Sequence, residues 1–66
     1  MIGDFIREKR KEMRLTQRKL GELMGYEGRT AETVVQNWEY GKQPVPITKL
    51  RRLAEILEVN LDELIP

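Results

Sequence analysis

Apolar residues recur along this chain at intervals of three and four, the spacing at which side chains share one face of an α-helix. The pattern predicts five short helices joined by polar or proline-containing connections. They cover residues 2–13, 17–24, 30–40, 46–57 and 61–65. We therefore expect an all-α fold.

Capping residues mark several of these helix ends. Thr16 and Thr30 precede helices two and three as N-cap residues, and Gly41 suits a left-handed C-terminal position after helix three. Asn60 with Glu63 three residues later forms an Asx variant of the capping box, which opens the last segment.

The apolar faces predict where the helices meet. Trp38 shares the apolar side of helix three with Ala31, Val34 and Val35, so it belongs to the core and does not stack on a ligand. Gly21 lies inside helix two, where glycine costs about 1 kcal/mol relative to alanine, which predicts a close approach by another helix. Helix four is expected to bury Ile47, Leu50, Leu53, Ala54 and Leu57.

Composition excludes several classes of function. The chain of 66 residues is 39% hydrophobic and 35% charged, too apolar for disorder and too charged for a membrane span. It has no cysteine or histidine, which removes disulfides, thiolate and imidazole chemistry and the usual zinc ligands. Without paired carboxylates beside a nucleophile or a glycine-rich phosphate loop, we expect no enzyme, metal or cofactor. The absence of an apolar signal region fits a cytoplasmic protein.

The formal net charge of +1 hides an uneven distribution of charge. Helices one and two are basic, whereas residues 55–63 are rich in acids. One half of the molecule therefore suits a polyanion.

Five short segments, in order, resemble those of one family: Leu15-Thr16-Gln17, Leu20 to Gly25, Trp38 to Lys42, Leu53 to Leu57 and Val59 to Leu64. The chain is similar to the phage Cro and repressor type of helix-turn-helix domain, also called lambda-repressor-like or the xenobiotic-response-element family. The resemblance covers nearly the whole chain. It implies a compact five-helix domain in which helices two and three bind double-stranded DNA.

The resemblance places helix three, residues 30–40, in the major groove of DNA, as in a phage or bacterial transcriptional repressor. Base edges are read by side chains with paired or flexible hydrogen-bond groups. Thr33, Gln36 and Asn37 are the first candidates for base reading, and Arg29 and Glu32 the second. Glu32 also fits a first-turn acid that is favoured by the helix dipole.

Two further groups match the family positions that contact the DNA backbone. Amide groups at the start of a helix favour a phosphate oxygen. The phosphate candidates are Thr16, Gln17 and Arg18 at the start of helix two, and Tyr40, Lys42 and Gln43 after helix three.

Arg10 falls on the apolar stripe of helix one, so its guanidinium requires a partner inside the protein. The resemblance implies that this partner is Glu39, which follows the core residue Trp38. We interpret Arg10 and Glu39 as a structural ion pair that orients helix three, not as a base contact.

The chain departs from the family at two places. About one helical turn is inserted within residues 26–30, so either the connection is a longer loop or helix three begins earlier and carries Arg29 into the groove. The loop alternative supports a different function, a protein-interaction or antitoxin-like module. The second departure is Arg14, where the family often has glycine; a positive φ there would strain a residue with a side chain.

One small module contacts few base pairs, so useful specificity requires a second copy about one DNA turn away. We expect a palindromic operator, and a weak homodimer or a dimer formed on DNA. The expected dimer surface contains Val59, Leu61 and Ile65, which also fit the core. Such a regulator would associate with the nucleoid through DNA.

Overall fold

The computed structural model describes residues 2–65 and contains four α-helices followed by one 3₁₀ turn. The helices are α1 (Ile2–Glu12), α2 (Gln17–Leu23), α3 (Gly28–Tyr40) and α4 (Ile47–Leu57), and the turn spans Leu61–Glu63. The described part of the chain has no strand. None of its helices is long and apolar enough to cross a bilayer.

The prediction of a fifth α-helix over 61–65 is wrong. The amides of Glu63 and Leu64 donate to the carbonyls three residues earlier, at 3.0 and 2.9 Å, which is 3₁₀ geometry. A single isolated turn commonly closes in this way because it fixes many torsions for few hydrogen bonds. The predicted capping interaction is nevertheless present, since Glu63 Oε2 accepts from the backbone amide of Asn60 at 2.9 Å.

One apolar core joins all four helices and the 3₁₀ turn. Trp38 is 3% exposed, as predicted, and its ring contacts that of Tyr26 edge to face, with 6.2 Å between centroids. The other buried members of this core are Ile6, Leu20, Met24, Val35, Leu53, Ala54, Leu57 and Leu64.

The prediction that Ile47 is buried is wrong. Ile47 is the first residue of α4 and is 86% exposed. Helical periodicity assigns a residue to a face, but at the end of a helix that face has no neighbouring helix to cover it.

Two glycines allow helices to approach one another closely. A Cβ at Gly21 would lie 2.5 Å from the carbonyl carbon of Ala31, which confirms the predicted contact between α2 and α3. A Cβ at Gly3 would lie 2.8 Å from the carbonyl oxygen of Trp38. These distances are too short for real Cβ contacts, so the two glycines bring both α1 and α2 against the backbone of α3.

Each end of α2 is held by a side chain. Thr16 Oγ1 accepts from the backbone amide of Lys19 at 2.9 Å, which confirms Thr16 as the N-cap. At the other end, Arg52 Nε donates to the carbonyl of Leu23 at 3.0 Å. These bonds tie α2 to its preceding turn and to α4.

Helix α3 begins at Gly28, two residues before the predicted start, so the prediction of Thr30 as its N-cap is wrong. Glu27 is the last extended residue, and Gly28 follows with a φ of 55°. Glycine reaches this left-handed value without a side-chain clash, which lets the chain turn into the helix directly after Glu27. Thr30 is therefore an exposed residue of the first turn.

Two residues with side chains adopt the left-handed conformation. Arg14, between α1 and α2, and Glu58, after α4, each have a φ of 58°. The conformation costs a non-glycine residue about 1 kcal/mol. Arg14 therefore carries the strain expected of a residue that replaces the family glycine.

Candidate nucleic-acid interface

Helix α3 has one side in the core and one side facing out of the protein. Ala31, Val35, Trp38 and Glu39 are buried. Among the five residues predicted to read bases, Arg29 and Thr33 are exposed, whereas Glu32, Gln36 and Asn37 are partly buried. The structure thus leaves all five outside the buried side of the same helix.

Two of these residues, Gln36 and Glu32, are hydrogen-bonded to each other. Gln36 Nε2 donates to Glu32 Oε2 at 3.3 Å, one helical turn away. This bond uses one amide hydrogen of Gln36 and leaves its second hydrogen and its carbonyl oxygen for other partners. The pair presents a donor and several acceptors along the open side of α3.

The start of α2 contains three predicted phosphate ligands in different situations. The first amides of any helix lack an acceptor within it, and here the Thr16 hydroxyl serves only that of Lys19. The side chain of Gln17 is engaged inside the protein, because its Nε2 donates to Glu39 Oε1 at 3.1 Å. Arg18 is exposed, and its Nε lies 3.8 Å from Glu22 Oε2.

The segment after α3 is tied to the end of that helix. Gly41 has a φ of 75°, and the amides of Lys42 and Gln43 both donate to the carbonyl of Asn37, at 2.9 and 3.3 Å. Tyr40 is 58% exposed, and Lys42 and Gln43 are exposed as well. The backbone of Lys42 and Gln43 is therefore tied to the base-reading candidate Asn37, while Tyr40 is the last residue of α3 itself.

Arg10 and Glu39 are brought together as a buried ion pair. Arg10 Nε lies 2.6 Å from Glu39 Oε2, and the two residues are 8% and 3% exposed. Arg10 also donates to Oε1 of Glu39 at 3.2 Å and to the carbonyl of Leu15 at 2.8 Å. With Gln17 on the same carboxylate, the network links α1, the start of α2 and α3.

The network satisfies its own polar groups. In the described part of the chain, no buried side-chain nitrogen or oxygen lacks a hydrogen-bond partner. The buried pair thus joins the helices that carry it, and a single unpaired member would be costly.

The inserted segment does not form a projecting loop. Residues 28–30 belong to α3, and the partly buried Tyr26 packs against Trp38. Lys49, a residue of α4, places its Nζ 4.8 Å from the centre of the Tyr26 ring. Of the two predicted alternatives, the structure therefore matches the earlier start of the helix, which places Arg29 in the first turn of α3.

Sequence reasoning missed two residues that position the site. Gly3 brings α1 against the carbonyls of Trp38 and Glu39. Its position inside a predicted helix is the same signal that identified Gly21, so Gly3 could have been predicted in the same way. Arg52 caps α2 from α4, and no local pattern indicates that contact because its acceptor is 29 residues away.

Comparison with known families places the chain in a class. Residues 6–64 match the model of the Helix-turn-helix family, so the chain belongs to this family, in its Cro/C1-type form. The match spans the helices α2 and α3 and the elements that support them. The family is one of DNA-binding transcription regulators, not of enzymes. Comparisons with curated proteins and with solved structures gave no match.

Proposed function

We propose that this chain is a sequence-specific regulator, repressor-like, that inserts α3 into the major groove of double-stranded DNA. The observation that carries the proposal is the division of α3, which buries Ala31, Val35 and Trp38 and keeps five polar residues outside this buried side. These five are Arg29, Glu32, Thr33, Gln36 and Asn37. A helix held in this way by the core fits the groove, which is about 12 Å wide.

Base reading is assigned to the open side of α3. Asn37 and Gln36 have the amide groups that pair with adenine, and Arg29 has the donors that pair with guanine. Thr33 offers a hydroxyl or a methyl group, and Glu32 accepts from a cytosine amino group. Because Gln36 is already bonded to Glu32, the two are expected to act as one reading unit.

Phosphate binding is assigned to both flanks of α3. On one flank, the backbone amides at the start of α2, beside Thr16 and Gln17, and the guanidinium of Arg18 meet the DNA backbone. On the other flank, Tyr40, Lys42 and Gln43 do so. Since the side chain of Gln17 already donates to Glu39, its contribution is expected through the backbone.

Two copies on a palindromic operator complete the proposal, because one module of this size contacts too few base pairs for useful specificity. Ile65 is 50% exposed, so it is available for the contact between copies. Val59 and Leu61 pack partly against the core of their own chain and contribute only their remaining surface.

Selection of bound sequences from random duplexes tests the proposal. One enriched sequence, with two related half-sites, is expected from a dimeric reader. Failure to enrich any sequence would contradict the regulator function and favour a protein partner. Binding should also weaken with salt, with a slope of about −0.9 per phosphate contacted.

Variants separate reading from anchoring. Thr33→Ala or Asn37→Ala should relax the preference at a defined base pair, which costs about 1–3 kcal/mol of discrimination. Lys42→Ala should weaken all duplexes alike. Thr48→Ala, in an exposed threonine of α4, is the matched control and should change neither property.

A further inference from the structure

The hydrogen bond between Glu32 and Gln36 constrains a side chain that is assigned to base reading. Gln36 follows Glu32 by one helical turn, and its Nε2 donates to Glu32 Oε2 at 3.3 Å. Both residues are partly buried. Within residues 2–65, Glu32 belongs to no ion pair with a basic side chain, so Gln36 is the partner that the structure gives to its carboxylate.

The chemistry of the two groups determines which end of the amide faces Glu32. A glutamine amide has an acceptor oxygen and a nitrogen with two hydrogens, and half a turn about its last side-chain bond exchanges their positions. An ionised carboxylate only accepts, so the amide oxygen of Gln36 is repelled from it. Glu32 therefore holds the amide in one of its two orientations, with the nitrogen toward the carboxylate.

The groups that Gln36 retains match one base. One hydrogen and the carbonyl oxygen remain, which is one donor and one acceptor. In the major groove, adenine presents N7 as an acceptor and its N6 amino group as a donor, whereas guanine presents two acceptors, N7 and O6. Cytosine and thymine each offer a single polar group. The engaged amide can therefore form two hydrogen bonds with adenine, but it lacks the second donor that guanine requires.

The ordinary role of such a pair is support of the helix. Side-chain hydrogen bonds between residues four apart stabilise a helix slightly wherever they occur. This pair, however, lies outside the buried side of α3 together with Arg29, Thr33 and Asn37. A carboxylate on a surface that meets phosphates lowers affinity by repulsion, and a gain in selectivity offsets that loss.

We infer that Glu32 is a positioning residue that holds Gln36 for adenine, so that the operator has an A·T pair opposite Gln36 and guanine is rejected there. The inference rests on the proposed function and names the base that this part of the site selects. Glu32 acts here through Gln36, and its other oxygen, Oε1, remains for the cytosine contact assigned above. The pair lowers affinity for every duplex and sharpens the choice between the two purines at one position.

Titration of the duplex selected from random sequences, and of its single-base variants, tests this inference. Gln36→Ala first identifies the pair that Gln36 reads, because the preference is lost there. At that pair, the parent protein should prefer adenine over guanine by about fivefold to 150-fold, the range for one bidentate contact. Glu32→Ala should lower this ratio to below about fivefold, because a free Gln36 amide can turn both hydrogens toward guanine.

Two controls separate the orientation of the amide from the effect of charge. Glu27 is the exposed residue before α3 and makes no side-chain capping bond. Glu27→Ala removes the same charge near the start of the helix, so it should raise affinity for all duplexes alike and leave the purine ratio unchanged. In a Gln36→Ala background, Glu32→Ala should have no further effect on that ratio, since no amide is left to hold.

The outcomes distinguish this inference from the proposed function. If the parent protein selects a site and Glu32→Ala keeps the parent's purine ratio at the Gln36 pair, the bond only supports the helix and the inference is overturned. A Gln36→Ala variant with the full preference at every pair overturns it as well, because Gln36 then reads no base. If the parent protein selects no sequence, the proposed function fails and the inference fails with it.

Discussion

Replacing Arg10 with alanine removes the centre of the network that joins α1, α2 and α3. Three hydrogen bonds are lost, two to Glu39 at 2.6 and 3.2 Å and one to the Leu15 carbonyl at 2.8 Å. The Glu39 carboxylate, in a residue only 3% exposed, then keeps Gln17 as its side-chain donor. Breaking a buried pair on one side costs about 3–5 kcal/mol, because the remaining charge has no counterion.

That loss is large for a chain of this size. At roughly 0.05–0.15 kcal/mol per residue, the free energy of unfolding is about 3–10 kcal/mol. With a urea dependence of about 1 kcal/mol per molar, the midpoint should fall by about 3 M or more. Trp38 reports the transition, since it is the single tryptophan, is 3% exposed and contacts Tyr26.

Two further variants make the Arg10 experiment specific. Arg7→Ala removes an arginine of the same helix whose pair with Asp4, at 3.4 Å, is 42% and 61% exposed, so it should cost less than about 0.5 kcal/mol. Replacing Arg10 and Glu39 together with apolar residues should cost less than Arg10→Ala alone. Unchanged stability of Arg10→Ala with abolished DNA binding would refute the reasoning and indicate a direct contact with DNA.

Three other substitutions test the fold, each by urea unfolding. Gly21→Ala should destabilise the protein by about 1–3 kcal/mol despite the better helix propensity of alanine, because the new methyl meets the backbone of Ala31; a gain in stability would show that the helices separate easily. Ile47→Lys should change stability by less than about 0.5 kcal/mol, and a larger loss would mean that this exposed residue is covered. Arg52→Ala should cost about 1 kcal/mol through its bond to the Leu23 carbonyl, whereas no cost would show that α2 ends as well without it.

Local patterns were most informative where the physical cause is itself local. The Thr16 cap and the Asn60–Glu63 interaction depend on residues three apart, so they can be predicted from spacing. Gly21 was predictable because glycine is unfavourable in a helix unless another element needs the space. Trp38 followed from the periodicity of α3, which assigns a face without knowledge of what covers it.

The wrong predictions concern the ends of segments, where local spacing does not determine which residue begins a helix or which residues are covered. Thr30 is a good N-cap by type, but Gly28 turns the chain earlier and leaves Thr30 inside the first turn. Ile47 is apolar and correctly spaced, yet it is 86% exposed because it lies at the very start of α4. The last segment has a sound cap, but only a 3₁₀ turn follows it.

In the candidate site too, some properties can be predicted from the sequence and others cannot. Which α3 residues are polar and share a side can be read from the order of amino acids, because a helix has a constant rotation per residue. The partners of the side chains depend on contacts between distant segments. Gln17 bonds to Glu39 across 22 positions, and Arg52 to Leu23 across 29.

The order of residues alone therefore determined the helical class of this protein, its polarised charge and the polar side of α3, since these follow from composition and helical period. Only the tertiary structure decided where α3 begins, which polar side chains lie outside the core and which are engaged in the Arg10–Glu39–Gln17 network. The reason is that burial and hydrogen-bond partners are properties of packed helices, and no single segment contains them.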